Sequence, residues 1–163
     1  HEERAGAEAL HEILAAADFP AQVQTKSVLA LRDIDVFKQF RNIKVGFSIA
    51  TGDDRMARLF EPGTSPINER IRALGALKEA GIRTFAFVGP LLPGDPESLV
   101  ASLDGKADEI LIDRMNYIDA VRSFYVRHAL EYAMTDRFFS EQTRRLVAEL
   151  RRRRMTFEVV FRT

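Results

Sequence analysis

The chain has 163 residues, 46% hydrophobic and 29% charged, which is enough for a single domain with a core of its own. Its 24 Lys and Arg balance 24 Asp and Glu, so net charge gives no pull toward nucleic acid or an anionic membrane. It has no cysteine, which excludes disulfides, a thiol nucleophile and a thiolate metal site within this chain. No apolar run approaches the ~20 residues of a membrane span, and the acidic, alanine-rich start is unlike a signal peptide. Cytoplasm is the expected compartment.

In chain order, Ala7, Leu10, Ile13, Leu14 and Ala17 recur at helical spacing within Glu2–Ala17. A short strand follows at Val23–Ser27. Its alternate residues Gln22, Gln24 and Lys26 share one face, which reads either as a wall of a polar site or as the wet face of an edge strand. A helix is expected over Val28–Phe40, closed by Asn42. The clearest strand is Ile43–Thr51, with Val45, Phe47 and Ile49 on one face and Gly46, Ser48 and Ala50 on the other. Three small residues on one face leave room for something that is not a side chain, or for close packing of a neighbouring element.

Asp53-Asp54 starts a short helix through Met56, Leu59 and Phe60, and Glu61–Thr64 breaks it. Ser65-Pro66 reads as a cap followed by proline at the first helical position, with Ile67, Ile71, Leu74 and Leu77 as the buried stripe and Gly81 as the stop. Thr84–Val88 is a buried strand running into the loop Gly89–Gly94. Asp95-Pro96 repeats the cap-then-proline device for a helix to Leu103. Glu109–Arg114 is a further strand, helices are expected over Tyr117–Met134 and Asp136–Arg154, and Thr156–Phe161 is the last strand.

Strands alternating with helices at this spacing predict an α/β fold with a parallel sheet and right-handed crossovers. Either a doubly wound sheet or part of a (β/α) barrel fits, and the absence of a glycine-rich dinucleotide fingerprint weakens the first. Polar or flexible residues end each strand: Lys26, then Ser48 and Thr51, then Gly89-Pro90, then Asp113, Arg114 and Asn116. Both architectures place their sites at that edge.

The run Gln24-Thr25-Lys26-Ser27 followed by Leu31-Arg32-Asp33 resembles a stretch of the radical S-adenosylmethionine enzymes related to spore photoproduct lyase, often called DNA repair photolyases. The similarity continues through Val45–Thr51, Leu59-Phe60-Glu61-Pro62-Gly63, Arg70, Ala80-Gly81-Ile82, Pro90–Gly94 and Ile112–Asn116, and covers roughly Glu8 to Asn116. It implies the C-terminal portion, from the third strand onward, of a partial (β/α)6 barrel that binds S-adenosylmethionine at its strand ends. The matching lysine and serine of the family contact that cofactor, and these roles carry over to Lys26 and Ser48. Lys26 is a cation able to meet the methionyl carboxylate. Gly89 would let the ligand approach the main chain, and the Ile110–Ile112 strand would flank the adenine.

The family's enzymes hold a four-iron–four-sulfur cluster on a CxxxCxxC loop, and a chain without cysteine cannot supply those thiolates. The expectation is therefore a fragment of a longer protein. The parent would carry the cluster and a 5′-deoxyadenosyl radical chemistry, acting on DNA or another substrate, and this chain alone would be inactive. Two alternatives stand beside it: a cofactor-free barrel enzyme in which a buried Lys26 forms a Schiff base, and a non-catalytic interaction module. Arg151–Arg154 give the latter a phosphate-contacting patch for DNA or RNA, or simply a solvated face. A barrel lacking its first strands would also expose the edge of the Val23 strand, where two copies of the chain would meet. His1, His11 and His128 show no metal-ligand spacing and read as surface residues.

Overall fold

A computed structural model describes residues 19–161. The helix expected over Glu2–Ala17 lies outside the described residues. Five strands, β1 (Ala21–Thr25), β2 (Ile43–Ser48), β3 (Arg83–Val88), β4 (Glu109–Ile112) and β5 (Phe157–Val159), form one parallel sheet in the order of the chain. A doubly wound sheet reverses its strand order at a switch point and carries helices on both faces. Here the order is sequential, and the helices that pack on the sheet share one face with Val45, Phe47, Ala86, Val88, Ile110 and Ile112. The fold is an arc of a (β/α) barrel.

Six α-helices are described: α1 (Ile34–Phe37), α2 (Asp54–Phe60), α3 (Ile67–Glu79), α4 (Pro96–Leu103), α5 (Ile118–Arg127) and α6 (Asp136–Arg152). Leu74 and Leu77 of α3, Leu99, Val100 and Leu103 of α4, and Phe139, Leu146 and Leu150 of α6 complete the core against the sheet. Asp53 caps α2 by accepting from the amides of Arg55 (2.8 Å) and Met56 (3.4 Å), and Asp95 caps α4 through Ser98 with Pro96 just inside. Gly81, at φ +83°, closes α3.

Several expected elements differ. Val28–Asp33 is a 3-10 turn, and only Ile34–Phe37 continues as one α turn. Ser65 does not cap α3. Its Oγ accepts from the Val28 amide (3.1 Å), and the Asp54 carboxylate caps α3 from outside by accepting from the Ile67 amide (2.9 Å). The helix expected over Tyr117–Met134 breaks where Ala129 turns left-handed (φ 54°), and Glu131–Met134 is a separate 3-10 turn. The strand expected through Thr51 is regular only over Ile43–Ser48, with a last bond from the Ile49 amide to the Phe87 carbonyl (2.8 Å), and the final strand is limited to Phe157–Val159.

The small-residue face of β2 is filled by a neighbour. A Cβ on Gly46 would fall 2.2 Å from the Phe85 carbonyl oxygen and 2.5 Å from its ring, so the glycine exists to admit Phe85. Gly46→Ala is expected to cost about 1–3 kcal/mol through overpacking, read from the urea midpoint; an unchanged midpoint would contradict the packing described.

A second, smaller cluster joins α5 to α2. Phe60 meets Phe124 and Tyr125 edge to face, each at 5.0 Å. The Tyr125 hydroxyl is buried with no partner among the described residues, and burial pushes its pKa up to about 12. Because an unsatisfied buried hydroxyl costs stability, Tyr125→Phe is expected to leave the melting temperature unchanged or raise it; a clear fall would reveal a partner.

At the far end of α6, Glu149 accepts from Arg152 (2.5 Å) and Arg153 (2.6 Å), and these hydrogen bonds draw its pKa down to about 2. A carboxyl group depressed in the folded state adds stability above its unfolded value of 4.5, which disappears as the pH falls toward 2. Glu149→Gln is therefore expected to lower the urea midpoint at pH 7 and to converge on the unaltered protein near pH 2. A gap that persists in acid would refute the assignment.

Candidate functional site at the C-terminal edge of the sheet

The site is built on a buried cation. Arg70 lies in the first turn of α3, on the same stripe as Ile67, Ile71 and Leu74, and is 0% exposed. Its guanidinium reaches back to the sheet and fills four acceptors. Nε donates to the Ser65 carbonyl (2.7 Å), Nη1 to the Ser48 carbonyl (2.8 Å) and to Glu61 Oε2 (2.7 Å), and Nη2 to Thr64 Oγ1. Five planar donors in a rigid fork suit such a multi-point anchor, and a lysine would not reproduce it.

Glu61 is the residue on which the loop turns out of α2. Its amide donates to the Ala57 carbonyl (2.8 Å), and its own carbonyl accepts from Thr64 Oγ1 (2.7 Å). This places its carboxylate, with the side chain only 8% exposed, between two cations: Oε2 on Arg70 and Oε1 3.3 Å from Lys26 Nζ. Lys26 sits one residue beyond β1, and its carbonyl accepts from the Ser65 amide (3.3 Å). Among the described residues no second carboxylate pairs with either cation. Two positive charges therefore share one negative charge, and the surplus is carried outward by Lys26, whose side chain is 44% exposed.

Ser48, the last residue of β2, lies next to this trio. Its Oγ accepts from Gln24 Nε2 (3.0 Å), and among the described residues it donates to none, so its proton is available to a ligand. The polar face of β1 is thus joined to β2 through Gln24 and to the α2–α3 loop through Lys26. Gln24, Lys26 and Ser48 converge, and Gly89 lies at the C-terminal end of the neighbouring strand. It ends β3 before a cis peptide to Pro90, and the space before it is taken by the Phe87 ring and the Asp113 Cβ. Asp113 accepts from the Arg114 amide (2.8 Å) and from Asn116 (3.2 Å), while the Arg114 guanidinium lies over the Phe161 ring and near Asp136.

Other expected residues are placed elsewhere. The strand expected to flank the adenine does reach the site's side of the sheet, through Leu111, while its Ile110 and Ile112 face the helix layer. Lys26 is half-exposed and ion-paired, without the burial that a Schiff-base role requires. Arg151–Arg154 precede β5 and so lie at the opposite edge of the sheet; Arg152 and Arg153 are paired with Glu149 and Asp104, and Arg151 lies 6.0 Å from the Phe157 ring centroid. His128 is exposed, with its ring 4.6 Å from that of Phe124.

The donor set fits one end of S-adenosylmethionine. A surplus cation and a free hydroxyl proton at adjacent strand ends suit an amino-acid carboxylate. It does not fit an iron–sulfur cluster. The chain has no cysteine, and the described residues contain no group of three or more His, Asp or Glu able to hold a metal. No helix among the described residues is long and apolar enough to cross a membrane.

Comparison with known proteins bears on the family. The family model of the radical SAM superfamily matches residues 3–104. Similar curated proteins are an uncharacterized protein of Methanocaldococcus jannaschii (46% identical over 72 residues, 44% of this chain and 27% of that protein) and one of Acidianus two-tailed virus (32% over 72 residues, 44% and 24%). A third is an uncharacterized protein of Mycobacterium tuberculosis (31% over 83 residues, 49% and 24%). The chain spans about a quarter of the length of these relatives. No solved structure gives a significant match. With more than half of its length matched by that family model, on an arc of parallel strands, the chain belongs to the radical SAM superfamily.

Proposed function

We propose that this chain forms the side of a radical SAM enzyme that grips the amino-acid end of S-adenosylmethionine, in an enzyme of the spore photoproduct lyase type. The observation that carries the reading is the charge count at the C-terminal edge: Lys26 and Arg70 share Glu61, and the exposed Lys26 presents the surplus. A carboxylate is the ligand group that completes such a set, because a charge-assisted hydrogen bond to an ammonium is worth more than a neutral one. Ser48 adds a hydroxyl donor beside it, and Gln24 holds that hydroxyl by donating to its oxygen.

The chemistry that S-adenosylmethionine supplies in this superfamily is hydrogen-atom abstraction by a deoxyadenosyl radical. The part of this chain is to bind and orient. Lys26 fixes the carboxylate, Ser48 donates a second hydrogen bond, and the Ser48 backbone is itself held by Arg70. Positioning of this kind is a large component of catalysis, since misplacement of a bound reactant by about 1 Å can cost 100-fold in rate. The order and spacing of Gln24–Ser27, Val45–Thr51, Leu59–Gly63 and Ile112–Asn116 support the photoproduct-lyase type.

Lys26→Ala is expected to weaken binding of S-adenosylhomocysteine, which carries the same amino-acid end, by about 10-fold to 100-fold, measured by isothermal titration calorimetry. Lys26→Arg should restore part of the loss. Equal affinity in Lys26→Ala and the unaltered protein would overturn the reading.

A further inference from the structure

We propose that Glu61, clamped by Arg70, is a positioning residue that holds the Lys26 ammonium in place for a ligand carboxylate. The inference rests on the carboxylate-binding role proposed for Lys26. A lysine at the end of an edge strand has four rotatable bonds and about 2 kcal/mol of rotamer entropy to lose on being fixed. Among the described residues Lys26 has one side-chain partner, Glu61 Oε1 at 3.3 Å, and more than two-fifths of its side chain meets solvent. What fixes Glu61 therefore fixes Lys26.

Glu61 is fixed from the other side. Its Oε2 accepts from Arg70 Nη1 at 2.7 Å, and Arg70 is immobilised by the Ser65 and Ser48 carbonyls and Thr64 Oγ1. One of those acceptors is the backbone of Ser48, so a single guanidinium sets both ligand-facing groups: Ser48 directly and Lys26 through Glu61. The 3.3 Å Lys26–Glu61 contact is looser than the 2.7 Å Arg70–Glu61 contact. Lys26 can therefore lean toward a ligand carboxylate while Glu61 stays anchored, and the ammonium, with three donors, can serve both carboxylates.

A purely structural role for the pair, tying the α2–α3 loop to β2, would alter stability without regard to the ligand's chemistry. The positioning role makes a selective prediction. S-adenosylhomocysteine carries the amino-acid end and 5′-methylthioadenosine lacks it, so the ratio of their affinities isolates the contacts of that end, the Lys26 contact among them. Glu61→Asp keeps the charge but withdraws it by one methylene. It is expected to weaken S-adenosylhomocysteine about tenfold and to leave 5′-methylthioadenosine within about twofold, by calorimetry on protein that circular dichroism shows to be folded. An unchanged ratio, or an equal loss for both ligands, would overturn the positioning role. A protein with no preference for S-adenosylhomocysteine before any substitution would overturn the Lys26 reading instead. If Glu61→Asp fails to fold, Thr64→Ala decides by the same ratio. It leaves all three charges and removes one acceptor of Arg70, and a ratio equal to that of the unaltered protein would sink the inference.

Discussion

A fully buried guanidinium is tolerated only when its charge and its donors are all answered, and Arg70 is such a group. Its four acceptors come from the end of β2, the residue that closes α2, and the turn that opens α3. Three pieces of chain that are separate in sequence are thereby fixed relative to one another at the edge where the sheet presents its site. Removing the cation would leave a carboxylate and two carbonyls facing one another in a space closed to water. The local architecture is in this sense a solution to the problem of housing one charge.

The sheet supplies the frame for that solution. Sequential parallel strands with right-handed crossovers bring every strand to the same edge at its C-terminal end. Lys26 and Ser48 are neighbours because β1 and β2 pair in register, with Gln24 opposite Gly46 and Thr25 opposite Phe47. The helix layer takes the alternate residues, so the polar set never competes with the core for the same face. Radical SAM membership and barrel geometry thus rest on one repeated unit, strand then helix, whose chemistry is confined to the connections.

Much of this was legible in the sequence. The cap-and-proline device at Asp95-Pro96 and the glycine stop at Gly81 each have one local cause and formed as read, and the period-two pattern of Ile43–Thr51 formed a strand over Ile43–Ser48. The polar face of Gln22, Gln24 and Lys26 was also visible, and the alternatives it left open both have substance, since β1 is an edge strand and Lys26 belongs to a charged cluster. The misreadings arose where distant groups decide. Asp54 caps α3 across 13 residues, freeing Ser65 to bind Val28. The residues most missed were Glu61 and Arg70. Arg70 did leave a signal: it falls three residues after Ile67 and four before Leu74, on the buried stripe of α3, where an arginine has no business unless a partner waits for it. Spacing can flag such a residue, but which carboxylate answers it depends on the fold.

The contact between Gly46 and Phe85 bears on what can enter from that edge. Phe85 is fully buried and lies one row of inward-facing residues below the level of Ser48 and Phe87. Side chains on one face of a strand recur every two residues, or roughly 6.5–7 Å. The phenyl ring is therefore a floor about one side-chain layer below the rim at β2 and β3. A molecule that reaches Lys26 from that edge meets this ring as the limit of its depth between β2 and β3.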